Sequence, residues 1–547
     1  MTVTTVMGME TEYAMAEYTA DGVGTGRDPL WDVLRAIALS NPCVSGREGA
    51  GLFLGNGARV YPDSGKCEYA TPECLTPYDL VIALRAGERV MHAAARSVAA
   101  SRHGELVVFR TNADYASGEV SWGCHESYLH RIDPTALPGP LIPHLVTRIV
   151  YTGAGGFALG PHGAGQFTLS PRAWFIEHAV SGHSTGQRGI YHTKDECLAG
   201  HGTHRLHVIV GESLCSDVGA VLKCGTTALI VAAIDAGATV GADLGLWSPV
   251  RALRTIASDP TLSAKVRLSN ARRMTALEIQ RKYLADVQRA LTDGLLPDWA
   301  PEVCRLWKQT LDDLHARGTW SARALDWKIK RGVFERFLGS PDAWEEHGRR
   351  CVVWRTVCRR LTRAVSSRND EGSSRPLREG PVGMESIDDL LIPLEEDSTV
   401  VVELSQYLQG LGLTWSDLRE FDQRQRRLFE LDLRFGQLDD RGIYAQLERE
   451  GCLEPSPITQ EAILRAVTHP PSGGRAMARG DVIRHLHAAG TSRDFAAEWT
   501  QVVDLRGGRY VDLRDPLGPT TVEWKEREAR EPRGPLFGMR QLMQDLF

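Results

Sequence analysis

Glu10 and Glu12 in VMGMETEYAM, and Arg59, Tyr61 and Asp63 in NGARVYPD, stand at alternate positions of two strand-like runs. A strand sends residues i and i+2 to one face, so each set shares a side of its strand. With Glu68 and Glu73 of the following EYATPEC, the glutamates Glu10, Glu12, Glu68 and Glu73 could supply an oxygen cluster for a metal ion. Carboxylates gathered on one sheet face repel one another and lose hydration, a conflict that hard cations resolve. Independent surface carboxylates are the competing reading. Asp63 lies where the strand gives way to Ser64-Gly65, a place where aspartate also serves simply as a turn former. His125 and His207 are each isolated in sequence, and a lone histidine is more often a satisfied core or surface group than a ligand.

The usual glycine cradles for phosphate are missing: there is no GxxxxGK[ST] loop, and no GxGxxG opens a helix after a strand. A nucleotide would therefore depend on metals and arginines to hold its phosphates. No GxSxG elbow competes, and no cysteine sits in a nucleophile motif.

The elements that must position these residues can be read from periodicity. Residues 3–15 and 52–62 read as strands, separated by a helix over 29–39 and a loop over 41–51. Apolar residues from Pro77 recur at helical spacing until His103-Gly104, and a strand follows over 105–110. The stretch TNADYASGEVSWGCHESYLHR reads as a polar loop centred on His125 and Glu126. A helix is expected over 141–151 and strands over 166–170 and 205–210, with Arg205 and His207 opposite an aliphatic face. Residues 223–312 are largely helical in pattern, with Leu277, Ile279, Tyr283 and Leu284 forming a buried stripe. Two more strands are expected over 501–505 and 520–524.

The composition, 42% hydrophobic and 24% charged over 547 residues, is that of a globular protein too long for one ordinary domain. A net charge of -6 gives no electrostatic case for nucleic acid. The 11 cysteines form no CxxC pair and suggest a reducing compartment. No signal-like segment and no run of about 18 apolar residues is seen, so a cytoplasmic protein with no membrane association is expected. Arg349, Arg350, Arg355, Arg359, Arg360 and Arg363 make a basic helical segment, either a solvated face or a surface for an acidic partner. Beyond it, residues 366–397 are rich in Ser, Gly, Pro and charge and read as a mobile insertion.

Taken together, GMETEYAM, NGARVYPD, EYATPEC, WGCHESYL, LVTR, RGIYHTKDE, RLHVIVGES, LKCGTTAL, LDWKIKR, HPPSGGRAMARGD and FAAEW resemble the Pup ligase and deamidase-of-Pup family. This ordered series spans most of the chain. The family consists of carboxylate-amine ligases related to glutamine synthetase. The resemblance implies an α+β fold, with a curved antiparallel sheet flanked by helices that cradles ATP and Mg²⁺. A catalytic domain over 1–337, an atypical insertion over 338–426 and a small C-terminal α/β domain over 427–547 are expected.

By the same resemblance, Glu10, Tyr61 and Glu68 look like magnesium ligands, with His125, His207, Glu12 and Glu73 as further ones. Arg59, Thr71 and Trp499 match nucleotide-contacting positions, and Asp63 matches the catalytic aspartate. The implied reaction phosphorylates the C-terminal glutamate of a disordered Pup-like modifier and joins it to a lysine of a substrate protein. The alternative on the same fold is a depupylase/deamidase; a silent Pup-binding homologue and a small-molecule amide ligase are more distant readings. The hydrolase branch has a long insertion between the first strand and the NGAR segment, whereas only residues 16–55 intervene here, which favours the ligase. The Asp63–Glu68 spacing and the wording GERVMHAAAR, RGI and GTTAL resemble the deamidase branch instead. In place of the family's Arg-Asp-Glu and Pro-His-Ala, this chain has Lys194-Asp195-Glu196-Cys197-Leu198-Ala199, and lysine cannot form a planar bidentate clamp.

Overall fold

The computed structural model describes residues 4–47, 51–115, 120–160, 163, 165–196, 198–200, 202–369, 386–394, 398–519 and 521–526. The architecture is α+β. Fourteen strands form the main sheet among the described residues. In chain order they are β1 (Met7–Tyr18), β2 (Cys43–Gly46), β3 (Leu52–Leu54), β4 (Arg59–Asp63), β5 (Lys66–Ala70), β6 (Glu105–Phe109) and β7 (Cys124–His130). There follow β8 (Ile176–Ser181), β9 (Arg188–His192), β10 (His204–Val208), β11 (Phe495–Ala497), β12 (Gln501–Asp504), β13 (Arg509–Asp512) and β14 (Trp524–Glu526). The spatial order is β8-β9-β10-β7-β1-β5-β4-β3-β2-β11-β12-β13-β14, with β6 on the C-terminal half of β1. All pairs are antiparallel except β8 with β9 and β2 with β11.

Alternation along β1 sets up everything else. Met7, Met9 and Tyr13 point into the hydrophobic cores, which leaves Glu10 and Glu12 on the opposite face. Beneath the sheet lie α1 (Leu30–Ser40), α2 (Pro77–Arg102), α3 (Pro138–Thr147) and α4 (Asp217–Asp235). Thr76 caps α2 by accepting the Asp79 N–H, with Pro77 at the first helical position where its missing N–H costs nothing. α4 is long and apolar enough to cross a membrane by length and composition, but 89% of its most apolar window is buried inside the protein. It is the central core helix, and its apolar surface is covered by the other helices and the sheet.

Three elements near the site differ from the sequence reading. The run 52–62 splits into β3 and β4 around a turn at Asn56-Gly57, and the loop expected over 41–51 contains β2. The part of the expected polar loop around His125 is strand β7, which pairs directly with β1, while residues 116–119 of that loop lie outside the described residues. Its alternation was hidden because the inward-facing residue Glu126 is charged.

The region expected as an insertion is mainly helical. α5 (Ala343–Asn369) and α6 (Trp415–Phe435) pack with Phe157 and Phe334 around Trp354, Leu361, Leu404 and Phe429. The domain boundary expected at 426/427 falls inside α6. Of the stretch 366–397 expected to be mobile, 370–385 and 395–397 lie outside the described residues, and Ile387–Leu391 is helical. The arginines of α5 are largely engaged within the protein: Arg355 donates to the Gly160 carbonyl at 2.7 Å, Arg350 pairs with Glu346, and Arg360 with Glu403. The C-terminal strands extend the main sheet, and they share a core with α7 (Gly474–Ala488), Val44 and Phe53. The ten cysteines among the described residues are free thiols, nine of them buried.

Candidate active site

The hairpin β4–β5 turns on Ser64 and Gly65, both with positive φ (50° and 80°), which suits the tight two-residue connection of antiparallel strands. Its register places Tyr61 opposite Glu68 and Asp63 opposite Lys66, while β1 places Glu12 opposite Glu68. β7 on the other side of β1 brings His125 opposite Glu10, and β10 contributes His207. Strand pairing alone thus assembles residues separated by some two hundred positions.

Two groups result. Glu10, His125 and His207 offer ligand atoms within 4.8 Å of one another, as do Glu12, Asp63 and Glu68. In the first, Arg205 holds Glu10 Oε1 at 2.9 Å, while Oε2 faces His125 Nδ1 at 3.8 Å and His207 Nε2 at 3.6 Å. Those separations are too long for hydrogen bonds. Both ring nitrogens of His207 are buried without a hydrogen-bond partner. Burial alone would raise the Glu10 carboxyl, but the two histidines and Arg205 outweigh it and hold it well below the usual range. A third imidazole, His192, lies with its ring 5.1 Å from that of His207; burial lowers it to about 4.

In the second group the carboxylates are unequal. Burial opposes ionisation of Glu12, but Lys66, with His125 and Arg172, outweighs it and Glu12 is lowered. Glu68 is raised well above its ordinary value, first by burial and then by the Glu10 and Glu12 carboxylates. Tyr61 stands across from Glu68 in the hairpin, and burial followed by Glu10 and Glu68 pushes its phenol far up. Carboxylates crowded together so that burial and mutual repulsion oppose their ionisation, on a sheet face that also holds buried imidazole nitrogens with nothing to bond, are the electrostatic profile of a site that fits a divalent cation. The donor set of oxygens with histidine is chemically suited to one. Gly123 keeps this arrangement open, since a Cβ there would lie 2.5 Å from His125 Nε2.

A cleft of about 660 Å³, counting its open mouth, runs from Glu10 along Gly8 and Thr71 to Glu73, Arg475 and Trp499. Thr71 Oγ1 accepts the Met9 N–H at 3.0 Å, which ties the end of β5 to β1. Trp499 stacks edge-on against Phe53 at 5.2 Å, and the Arg479 guanidinium lies 4.8 Å from its ring centre. Arg59 lies 4.5 Å from the Tyr61 ring centre. Of the sequence-predicted nucleotide residues, Thr71 and Trp499 line the cleft, and Arg59 stands beside it on β4.

Glu73 departs from the predicted grouping. It belongs to neither cluster, because the chain has left β5 at Ala70 and the side chain pairs instead with Arg475 and Arg479 of α7. Burial opposes its ionisation, but the two guanidinium groups bring it to about 2. This tie bolts the C-terminal segment onto the sheet. Because the folded-state value lies below the ordinary 4.5, its stabilisation is full above that value and is lost as the pH falls toward 2. Melting temperatures of wild type and Glu73→Gln should accordingly differ most near neutral pH and converge on acidification; a gap independent of pH would contradict this.

Sequence reasoning missed Lys66 and His192. It placed Arg205 on the His207 face of its strand, but not its bond to Glu10. Lys194 of the divergent loop is exposed and pairs with Glu196 at 3.1 Å, while its N–H donates to His192 Nδ1 at 3.1 Å. Beneath the sheet, Arg148 grips the fully buried Glu126 at 2.6 and 2.7 Å. Tyr128 donates to the same carboxylate, and the Lys223 ammonium lies 3.8 Å away.

The chain belongs to the Pup-ligase family: the model described as "Pup-ligase protein" matches residues 5–350 and 403–503. The interval left out of that match, 351–402, begins within α5 and includes residues outside the described ones. The chain is 32% identical over 527 residues to the Pup deamidase/depupylase of Mycolicibacterium smegmatis, covering 92% of this chain and 88% of the relative. It is 31% identical over 524 residues to the Pup–protein ligase of Paenarthrobacter aurescens, covering 94% and 96%. It shares the fold of the ligase PafA in its crystal structure with the prokaryotic ubiquitin-like protein Pup, with a TM-score of 0.68 and 24% identity over 94% of this chain and 89% of the other.

Proposed function

We propose that this protein is an ATP-dependent ligase that joins the C-terminal glutamate of a Pup-like modifier to a lysine of a substrate protein, in the cytoplasm. The carrying observation is the position of Asp63, gathered with Glu12 and Glu68 on the sheet face that continues through Glu10 into the cleft of Thr71 and Trp499. Such a face can hold a triphosphate at one end and present a carboxylate to an incoming amine at the other. Mg²⁺ would be held by Glu10, Tyr61 and Glu68, with His125, His207 and Glu12 beside them, and would supply charge neutralisation during phosphoryl transfer.

A carboxylate is a poor electrophile. An oxygen of the modifier's glutamate side chain attacks the γ-phosphorus of ATP, the bond to the β-phosphate oxygen breaks, and ADP leaves an acyl phosphate behind. Arg59 would stabilise the charge that develops on the phosphoryl oxygens. The substrate lysine, with an ordinary value of about 10.4, arrives as an ammonium. Asp63 orients it and takes one proton to free the amine, whose nitrogen then attacks the acyl carbon; the second proton leaves with the departing phosphate as HPO₄²⁻, and an isopeptide bond remains.

A depupylase/deamidase is the second reading, supported by the Asp63–Glu68 spacing and by relatives bearing that name. The short interval over residues 16–55 between the first strand and the NGAR segment, without the hydrolase branch's long insertion, favours the ligase. The test is incubation with ATP, Mg²⁺ and either a Pup ending in glutamate plus a lysine-bearing protein, or a Pup ending in glutamine. A new isopeptide-linked product is expected; ammonia release or conjugate cleavage without ligation would reverse the assignment. Trp499→Ala should weaken ATP binding about fivefold, the worth of roughly 1 kcal/mol of aromatic stacking. Calorimetry would detect it, and unchanged affinity would remove Trp499 from the nucleotide site.

A further inference from the structure

The cation nearest the carboxylate cluster is one that the chain itself supplies. Lys66 opens β5 two residues before Glu68, so the two side chains leave the same face, and it stands directly across the hairpin from Asp63. Its ammonium reaches Glu12 Oε2 at 2.9 Å and the Ser121 carbonyl at 3.0 Å. The same Glu12 oxygen accepts the Gly123 N–H at 2.6 Å. With Lys66 and Glu12 side chains only 16% and 8% exposed, water screens this pair weakly. Since Glu12, Asp63 and Glu68 have carboxylate oxygens within 4.8 Å of one another, a positive charge fixed on one of them acts on all three.

We propose that Lys66 is an internal cation of this metal site: its ammonium cancels the charge of Glu12 and so lowers the affinity of the Glu12–Asp63–Glu68 cluster for a divalent ion. The inference rests on the metal-dependent reading above. Three uncompensated carboxylates would grip a dication tightly, because the number of ligand charges tunes affinity over orders of magnitude. With Glu12 neutralised from within, the cluster suits an ion that arrives and leaves with the nucleotide. A purely structural Lys66, by contrast, would only hold Glu12 in place, and its removal would loosen the cluster.

The two roles predict opposite signs. Mn²⁺ binding to the full chain, followed by the electron paramagnetic resonance of the free ion without ATP or modifier, should tighten by at least about tenfold in Lys66→Met. Lys66→Gln, which can keep a hydrogen bond to Ser121, should do the same and covers the case in which the methionine variant does not fold. Lys66→Arg should bind as wild type, and Glu12→Gln added to Lys66→Met should cancel the gain. Weakened or unchanged binding in both neutral variants overturns the proposal. Wild-type protein that binds no Mn²⁺ overturns it together with the metal reading, whereas a hydrolase outcome in the product assay leaves this measurement unaffected.

Discussion

Asp63→Asn should lower turnover by about 10²–10⁴-fold, the usual worth of a positioned proton acceptor, with ATP affinity close to wild type. Asparagine keeps the shape and polar character of the side chain at the end of β4 but cannot hold an ammonium by charge or remove its proton. Asp63 lies on the hairpin, while the residues lining the nucleotide cleft, Thr71 and Trp499, are on separate segments. The loss should therefore fall on the chemical step. Isopeptide formation measured in a single turnover, beside calorimetric ATP binding, separates the two effects. Turnover within about threefold of wild type would return Asp63 to the role of a turn-forming residue.

Arg148→Ala should cost about 3–5 kcal/mol of stability, because it leaves the Glu126 carboxylate buried without its partner. Glu126 is completely inaccessible; burial opposes its ionisation, and Arg148, with Lys223 and Tyr128, outweighs that burial in the folded protein. Lys223 is directed to the Cys124 and Glu212 carbonyls at 2.9 Å each and replaces only part of the lost charge. Urea unfolding followed by circular dichroism gives the magnitude. A loss below about 1 kcal/mol would mean that Lys223 moves over to compensate.

The same pair explains what was legible in the sequence. Period-two alternation correctly placed Glu10 with Glu12 and Tyr61 with Asp63, since both strands alternate an apolar face with a polar one. It failed for β7, where Cys124, Glu126, Tyr128 and His130 are the inward-facing residues. A buried glutamate satisfied by an arginine on α3's C-terminal side makes a core strand look like a polar loop. Glu73 failed for a related reason: its partners Arg475 and Arg479 lie some four hundred residues onward, and no local pattern announces them. The C-terminal strands were partly recognisable as strands, but their membership of the main sheet depends on the distant β2–β11 pairing. Family resemblance supplied the expected roles of Asp63 and Trp499; the fold supplied Lys66 and the Arg205–Glu10 bond, whose significance depends on what they touch.

The parallel pairing of β2 with β11 also bears on how the chain is made. When residues 43–46 leave the ribosome their sheet partner at 496–497 does not yet exist, and at about 5–20 residues per second it follows roughly 20–90 s later. For that interval β2 is an open edge, a template for any passing strand. Newly made protein should therefore be most prone to aggregate, and most dependent on chaperones, before its last strands arrive to cover that edge.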